Sequence, residues 1–246
     1  MKLVIDSPPT FIVGCGHSGT WLLLAILGTH SRIYAIPMET EVFIKTARAD
    51  IETTLKQLDQ LALSADRCRW VEKTPKHINR IEVIFNFCPD AKIIILIRDG
   101  RDVACSIKER YPPYRFDRGI VMGATRWVDD NLAGQKYWDH PNVKVVKYED
   151  IVSDFEKTIT GVLHFMGEIY EPQVRDFHTI ERRWGSSKIE EPKTRYGTDH
   201  SQYRNWQINQ PLFDGRVRWK KLSYIDLRMV TDIESDMLFK LGYTGG

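Results

Sequence analysis

Thr10-Phe11-Ile12-Val13-Gly14-Cys15-Gly16-His17-Ser18-Gly19-Thr20-Trp21, continuing into Leu22-Leu23-Leu24-Ala25-Ile26-Leu27, is the stretch that decides the fold. Thr10–Val13 reads as a buried strand, the glycines as a turn, and the run from Leu22 to Leu27 as a helix. A glycine-rich turn that opens a helix suits an anion. Glycines let backbone N–H groups converge on it, the helix N-terminus adds partial positive charge, and Ser18 and Thr20 add hydroxyl donors. The other reading of these residues is a structural turn with no ligand.

Three further short runs, Arg69–Val71, Lys92–Ile97 and Val143–Val146, have the β-branched, nearly continuous apolarity of strands in a parallel sheet buried on both faces. Between them Ile51, Leu55, Leu58 and Leu61, and then Ile78, Ile81, Ile84 and Phe85 after Thr74-Pro75, fall at helical spacing. Further helices are expected over 119–138, where Ala124, Trp127, Asn131 and Gln135 share a face, and over 152–166. The last helix has Ser223 with Asp226 as a capping box, an apolar face through Leu227, Val230, Met237, Leu238 and Leu241, and Gly242 as its stop. The expected fold is α/β: a single domain over 1–246, with a central parallel sheet flanked by helices, a loop-rich C-terminal third at about 168–222 and a closing helix.

A chain of 246 residues can bury a core without disulfides or metals. Its 35 Lys and Arg against 33 Asp and Glu leave a net charge of +2. That balance argues against a nucleic-acid partner, so any anionic ligand must be met by local charge. The longest apolar run, Trp21–Leu27, is far short of the ~20 residues that cross a bilayer, and Asp6, Pro8 and Pro9 interrupt what a signal peptide would need. Cys15, Cys68, Cys88 and Cys105 show no C-x-x-C spacing. The expectation is therefore a cytoplasmic protein with reduced thiols, no metal and no integral membrane contact.

The loop fits two nucleotide motifs. Gly14, Gly16 and Gly19 satisfy the dinucleotide pattern Gly-x-Gly-x-x-Gly, with Glu39 twenty residues past Gly19, where a ribose-binding acid belongs. Gly14-x-x-x-x-Gly19 begins a P-loop. Thr20-Trp21, however, replaces the Lys-[Ser/Thr] pair that reaches the β- and γ-phosphates and holds Mg²⁺, which disfavours an ordinary ATPase or kinase. Two other strand ends carry cations: Arg98-Asp99-Gly100-Arg101-Asp102 after Lys92–Ile97, and Lys73 in Glu72-Lys73-Thr74-Pro75-Lys76-His77 after Arg69–Val71. Alone, the arginines could pair with Asp99 and Asp102. Together with the glycine loop they fall on the edge where open α/β sheets bind ligands.

In this order the motifs resemble those of the sulfotransferases that use 3′-phosphoadenylyl sulfate (PAPS), over nearly the full chain. Gly16-His17-Ser18-Gly19-Thr20 resembles their 5′-phosphosulfate loop, and Ile97 to Ser106 their 3′-phosphate motif, with Arg98 and Ser106 spaced like the family's phosphate-binding pair. Tyr148 in Val146-Lys147-Tyr148-Glu149-Asp150, and the ending from Trp219 to Leu222 through Leu241-Gly242-Tyr243, follow the family pattern. The likeness is to the bacterial, carbohydrate and protein-tyrosine branches more than to the cytosolic small-phenol branch, whose loop has a lysine before the serine. Where the family usually has Arg or Lys this chain has His17, and histidine, with an ordinary pKa near 6.5, is only partly charged at neutral pH.

The resemblance implies a P-loop-like sulfotransferase fold and metal-independent, in-line transfer of a sulfuryl group from PAPS to a hydroxyl acceptor, leaving adenosine 3′,5′-bisphosphate (PAP). It implies that Gly16, His17, Ser18, Gly19, Thr20, Trp21, Arg98, Ser106 and Tyr148 hold the donor, with Ser187 and Arg204 reaching it from the C-terminal third. Lys73 and His17 would meet the bridging and sulfuryl oxygens, and Glu39 would be the base, with Glu41, His77 and His30 as further candidates for that role. The aromatic stretches 111–116 and 206–219 suit stacking on a ligand or core packing alike. The acceptor stays open among carbohydrate, glycolipid, tyrosyl peptide and small alcohol. Two different functions stay open: an NAD(P)-dependent oxidoreductase, which leaves Lys73 and the Arg98-to-Ser106 motif without a task, and a non-catalytic nucleotide-binding module.

Overall fold

Alternate side chains of a strand point to opposite faces, and apolar residues at every position therefore demand cover on both sides. The computed structural model describes residues 5–109, 116–184, 188–191 and 200–243. The apolar runs form β1 (Thr10–Gly14), β3 (Arg69–Lys73), β4 (Lys92–Ile97) and β5 (Val143–Lys147), joined by a short β2 (Ile33–Ala35). All neighbours are parallel, in the order β2-β3-β1-β4-β5. β2 escaped the sequence reading because three residues are too few for a periodicity, and it is held through β3, Ile33 opposite Arg69 and Ala35 opposite Val71.

The helices are α1 (Thr20–Leu27), α2 (Val42–Lys45), α3 (Ile51–Ser64), α4 (Ile81–Phe87), α5 (Gly100–Lys108), α6 (Phe116–Gln135), α7 (Tyr148–Ser153), α8 (Phe155–Met166), α9 (His200–Ile208) and α10 (Tyr224–Lys240). On one face of the sheet Phe11, Val13, Trp70, Ile93, Ile95 and Ile97 pack with Leu58 and Ala62 of α3, Ile81 and Ile84 of α4 and Trp127 of α6. On the other, Ile12, Val71, Ile94, Leu96 and Val146 pack with Leu23, Leu24 and Leu27 of α1 and Ile159, Val162 and Leu163 of α8. Each fully buried aliphatic side chain contributes about 1.5–3 kcal/mol, so this two-sided core fixes the strand ends that carry the polar residues.

Five expectations are corrected. The helix expected over 152–166 is two, because the chain turns out at Asp154 (φ −144°) between α7 and α8. The helix expected over 119–138 lies at Phe116–Gln135, and its buried Asn131 is satisfied by donating to the Trp127 carbonyl at 2.7 Å. The first turns after Pro75 are a 3-10 helix, Pro75–Arg80, before α4 begins. α9 lies inside the stretch 168–222 that was expected as loop, as do 3-10 turns at Pro172–Thr179 and Arg218–Lys221. The capping box forms by half: Ser223 Oγ accepts from the Asp226 N–H at 3.2 Å, while the Asp226 carboxylate turns to Lys108 Nζ at 2.7 Å.

Candidate functional site

The C-terminal ends of β1, β3, β4 and β5 share one edge, since Gly14 lies opposite Leu96, Ile12 opposite Lys73 and Ile97 opposite Lys147. The residues next in the chain, the glycine loop, Thr74, Arg98 and Tyr148, therefore emerge side by side. Strand order reverses across the β1/β4 pair, the position where open sheets of this kind take their ligands. Gly14 has φ +144° and passes so close to the Leu96 carbonyl that a Cβ would collide with it. Gly19 has φ +97°, and a Cβ there would stand 2.9 Å from Tyr148 Cδ2. Only glycine lets the loop close against its neighbours at these two points.

A cavity of about 280 Å³ opens over the loop, lined by His17, Gly19, Thr20, Trp21, Arg98, Ser106, Tyr148, Tyr203, Arg204 and Phe213 among others. His17 Nδ1 and Ser106 Oγ are 3.0 Å apart, so the loop and α5 are tied by two of the expected donor-binding residues. Arg98 stacks on the Tyr148 ring at 4.5 Å and donates to the carbonyls of His17, at 3.2 Å, and Gly215. Tyr148 Oη in turn donates to the Phe213 carbonyl at 3.1 Å, which draws 213–215 over the cavity. Three buried polar atoms here, Ser18 Oγ, Trp21 Nε1 and Arg98 Nε, have no hydrogen-bond partner among the described residues. A buried polar group left so costs about 1–3 kcal/mol, and an anionic ligand with several acceptor oxygens suits all three.

A second cavity, about 450 Å³, shares His17, Trp21, Pro75, Arg204 and Ile208 with the first and adds Gly16, Met38, Glu39, Lys76, Arg126 and Trp184. Glu39 Oε1 accepts from Lys73 Nζ at 2.5 Å and from Arg204 Nη1 at 3.1 Å. Burial pushes the Glu39 carboxyl up, but the two cations outweigh it and leave its pKa below the usual value. Lys73 is fully buried, its Nζ 3.6 Å from the centre of the Trp21 ring. Burial pulls its pKa down to about 7, with Glu39 opposing part of the fall.

Beneath this pair lies a hub the sequence reading missed. Glu72, fully buried, accepts on Oε1 from the Thr40 N–H and Thr40 Oγ1, both at 3.0 Å, and from Thr74 Oγ1 at 2.5 Å. Thr40 follows Glu39 and Thr74 follows Lys73, so one carboxylate holds the backbone on both sides of the pair. His77 belongs to this hub: its Nε2 accepts from the Phe43 N–H at 3.4 Å and its Nδ1 lies 3.3 Å from Glu72 Oε2. The only available signal was an acid in a run otherwise reading as buried strand.

His30 and Glu41, also candidates for the base, are engaged elsewhere. His30 is buried with Nε2 3.0 Å from the Ile169 carbonyl, and Glu41 pairs with Lys45. Arg101 is held by Asp99 through Nε at 3.0 Å and Nη2 at 2.8 Å and stacks on Trp219, so the ion-pair reading applies to it in full, whereas Arg98 meets Asp102 only at 4.0 Å, from Nη2 to Oδ2. The ribose-acid reading of Glu39 meets β3, which lies between β2 and β1 and separates Glu39 from the strand that carries the glycine loop. Ser187 and the aromatic residues 111–115 lie outside the described residues. Arg126 and Trp184, both lining the second cavity, were not singled out; each sits in a stretch without a motif.

The profile of the Sulfotransferase family matches residues 47–172, half of the chain. The chain belongs to the sulfotransferase family. The matched stretch of this sulfotransferase contains Lys73, Arg98, Ser106 and Tyr148, while the glycine loop and Glu39 precede it. An uncharacterized protein of Aquifex aeolicus (strain VF5) is 24% identical over 233 residues, covering 81% of this chain, which spans 30% of that relative's length. In fold, a sulfotransferase domain from the Synechococcus PCC 7002 olefin synthase superposes with a TM-score of 0.59 at 16% identity over 96% of each chain. The mouse sulfotransferase SULT7A1 complexed with PAP gives 0.59 at 16% identity, over 96% of this chain and 85% of that one. A sulfotransferase domain from the curacin biosynthetic pathway gives 0.56 at 15% identity, over 94% and 97%. At these identities the likeness is one of fold.

Proposed function

We propose that the protein transfers a sulfuryl group from PAPS to a hydroxyl acceptor. The observation that carries this is the meeting of the two cavities at His17, Trp21 and Arg204, with Arg98 and Ser106 on the first and Glu39 on the second. A donor in the first would present its reactive end to a hydroxyl beside Glu39, the positioning that supplies most of the catalysis in such transfers. That the mouse protein of the same fold was complexed with PAP supports PAPS as the donor.

When bound, PAPS supplies the activated sulfuryl group. Arg98, through Nε, and Ser106 would hold its 3′-phosphate, while the backbone from Gly16 to Trp21, with Ser18 Oγ and Thr20, would hold the 5′ end. His17 joins the two subsites through Ser106 and would donate to the 5′ end, Lys73 would donate to the bridging oxygen, and Arg204 and Tyr148 would close the site. Glu39, kept ionised by Lys73 and Arg204, would accept the proton of the hydroxyl. Cys15, Cys68, Cys88 and Cys105 are all free thiols, which fits a reducing compartment, and we place the enzyme in the cytoplasm.

Thermal unfolding in EDTA with PAP, ATP, NAD⁺ or NADP⁺ tests the donor. A ligand at 100 times its Kd adds about 2.7 kcal/mol to stability. PAP is expected to give the largest shift. A shift with NAD⁺ or NADP⁺ alone would overturn the reading.

A further inference from the structure

The second cavity holds more positive charge than its base requires. Its charged lining, among the described residues, is Glu39 against Lys76, Arg126 and Arg204. Glu39 is already matched by Lys73 and Arg204. Lys76 is exposed at the rim and no acidic partner holds it among the described residues. Among the described residues Arg126 is engaged along one edge only, its Nε 3.4 Å from Asp130 Oδ2. Asp130 is buried and also accepts from Asn79 Nδ2 at 2.9 Å, so its carboxylate is shared between Arg126 and Asn79. The far end of Arg126 lies over the glycine loop, with Nη2 3.1 Å from where a Cβ on Gly16 would be.

We propose that the acceptor is itself an anion: a hydroxyl compound bearing a carboxylate, phosphate or sulfate group that Lys76 and Arg126 hold while Glu39 faces the hydroxyl. This rests on the sulfuryl-transfer reading, because it takes the second cavity as the acceptor's. The Arg126 fork matches a planar or tetrahedral oxyanion through two N–H groups, and Lys76 adds a point charge. A neutral hydroxyl compound would leave both cations facing Arg204 with no ligand charge to offset them. An acidic one instead gains orientation, its charged end fixed at Lys76 and Arg126 and its hydroxyl left at Glu39.

The test uses charged and neutral twins on PAP-saturated protein: 4-hydroxyphenylacetate against its amide, and glucuronate against glucuronamide, each titrated by calorimetry. At least one acid is expected to bind about tenfold or more tighter than its amide, as charge-assisted pairing implies, and K76Q/R126Q is expected to abolish the difference. PAP affinity should be the same in that variant. Equal binding of acid and amide, no binding of any probe, or a preference that survives K76Q/R126Q overturns the proposal. Failure of the donor reading shows separately, as absence of PAP binding in the first titration, and the twins are then compared on the free protein. The sugar and phenol pairs distinguish which kind of scaffold carries the anion.

Discussion

Lys73 Nζ donates to Glu39 Oε1 at 2.5 Å, a contact between the end of β3 and the loop after β2. The pair joins a cation that is fully buried to a carboxylate that faces the second cavity. In the proposed reaction the two groups have opposite tasks, one donating to the leaving oxygen and one taking a proton. Each holds the other in the protonation state its task needs.

Replacing Glu39 with Gln keeps the shape and removes the base. Transfer is expected to fall about 10²–10⁴-fold, the usual loss for a general base, with PAP binding retained. Single-turnover rates beside a PAP titration check this. An E39Q protein that transfers at the parent rate would take Glu39 out of the mechanism.

The pH dependence follows from the same pair. Lys73 must be protonated, and its pKa of about 7 places the alkaline limb of kcat/KM near neutrality, activity falling as pH rises through it. Glu39 must be ionised, and its lowered pKa puts the acid limb below the ordinary carboxylate range. A bound anionic donor favours the charged lysine, so the alkaline limb of kcat should lie higher than that of kcat/KM. Lys73→Arg, which stays protonated, should flatten the alkaline limb in whatever activity it keeps. A profile unchanged in that variant would assign the limb to another group.

The hub beneath the pair predicts a separable effect. Thr40→Val removes the hydroxyl that donates to Glu72 Oε1 but leaves the backbone N–H in place. A loss of about 1 kcal/mol in stability is expected. Because Thr40 fixes Glu39, kcat should fall about tenfold while PAP affinity holds. If kcat and PAP affinity fell together, the hub would serve the fold as a whole.

The parallel sheet, the edge where its strands end and the residues gathered there were legible because each rests on local pattern. Apolar runs gave β1, β3, β4 and β5, and the glycines of 14–19 gave the turn. What pattern could not show was contact between distant parts. Arg98 spends its terminal nitrogens on the His17 and Gly215 carbonyls, a use invisible in Ile97-Arg98-Asp99. Arg126 reaches Gly16 from α6 across more than a hundred residues of chain, and its own surroundings carry no motif. The same limit hid Glu72, whose partners Thr40 and Thr74 are joined only once β3 is placed beside the loop after β2. The break at Asp154 was missed for a different reason: the apolar spacing runs through it, and only the backbone angle stops the helix.

Glu234 on α10 offers a test of the packing under the Arg98-to-Ser106 motif. It is fully buried against Gly100 and Trp127, and neither carboxyl oxygen has a hydrogen-bond partner among the described residues. Burial, then the nearby Asp99 and Asp102 against Arg101, push its pKa up to about 9. The folded value lies above the unfolded one of about 4.3, so the proton is taken up on folding. Its contribution is fully present below pH ~4 and is lost as pH rises towards 9. Glu234→Gln, neutral at every pH, should gain about 4 kcal/mol on the parent between pH 5 and pH 8, the cost of deprotonating across that window a group shifted from ~4.3 to about 9, read by chemical denaturation at both values. A difference that does not depend on pH would mean Glu234 is ionised in the fold.

The most direct measurement of the central claim, that the strand edge holds the two phosphates of PAP, is a calorimetric cycle. PAP and 5′-AMP, which lacks the 3′-phosphate, are titrated into the parent protein and Arg98→Ala. The account predicts that PAP binds the parent at least tenfold tighter than AMP, that R98A removes most of this advantage, and that AMP affinity changes little in the variant. Equal binding of PAP and AMP by the parent, or a PAP advantage that survives intact in R98A, would contradict it.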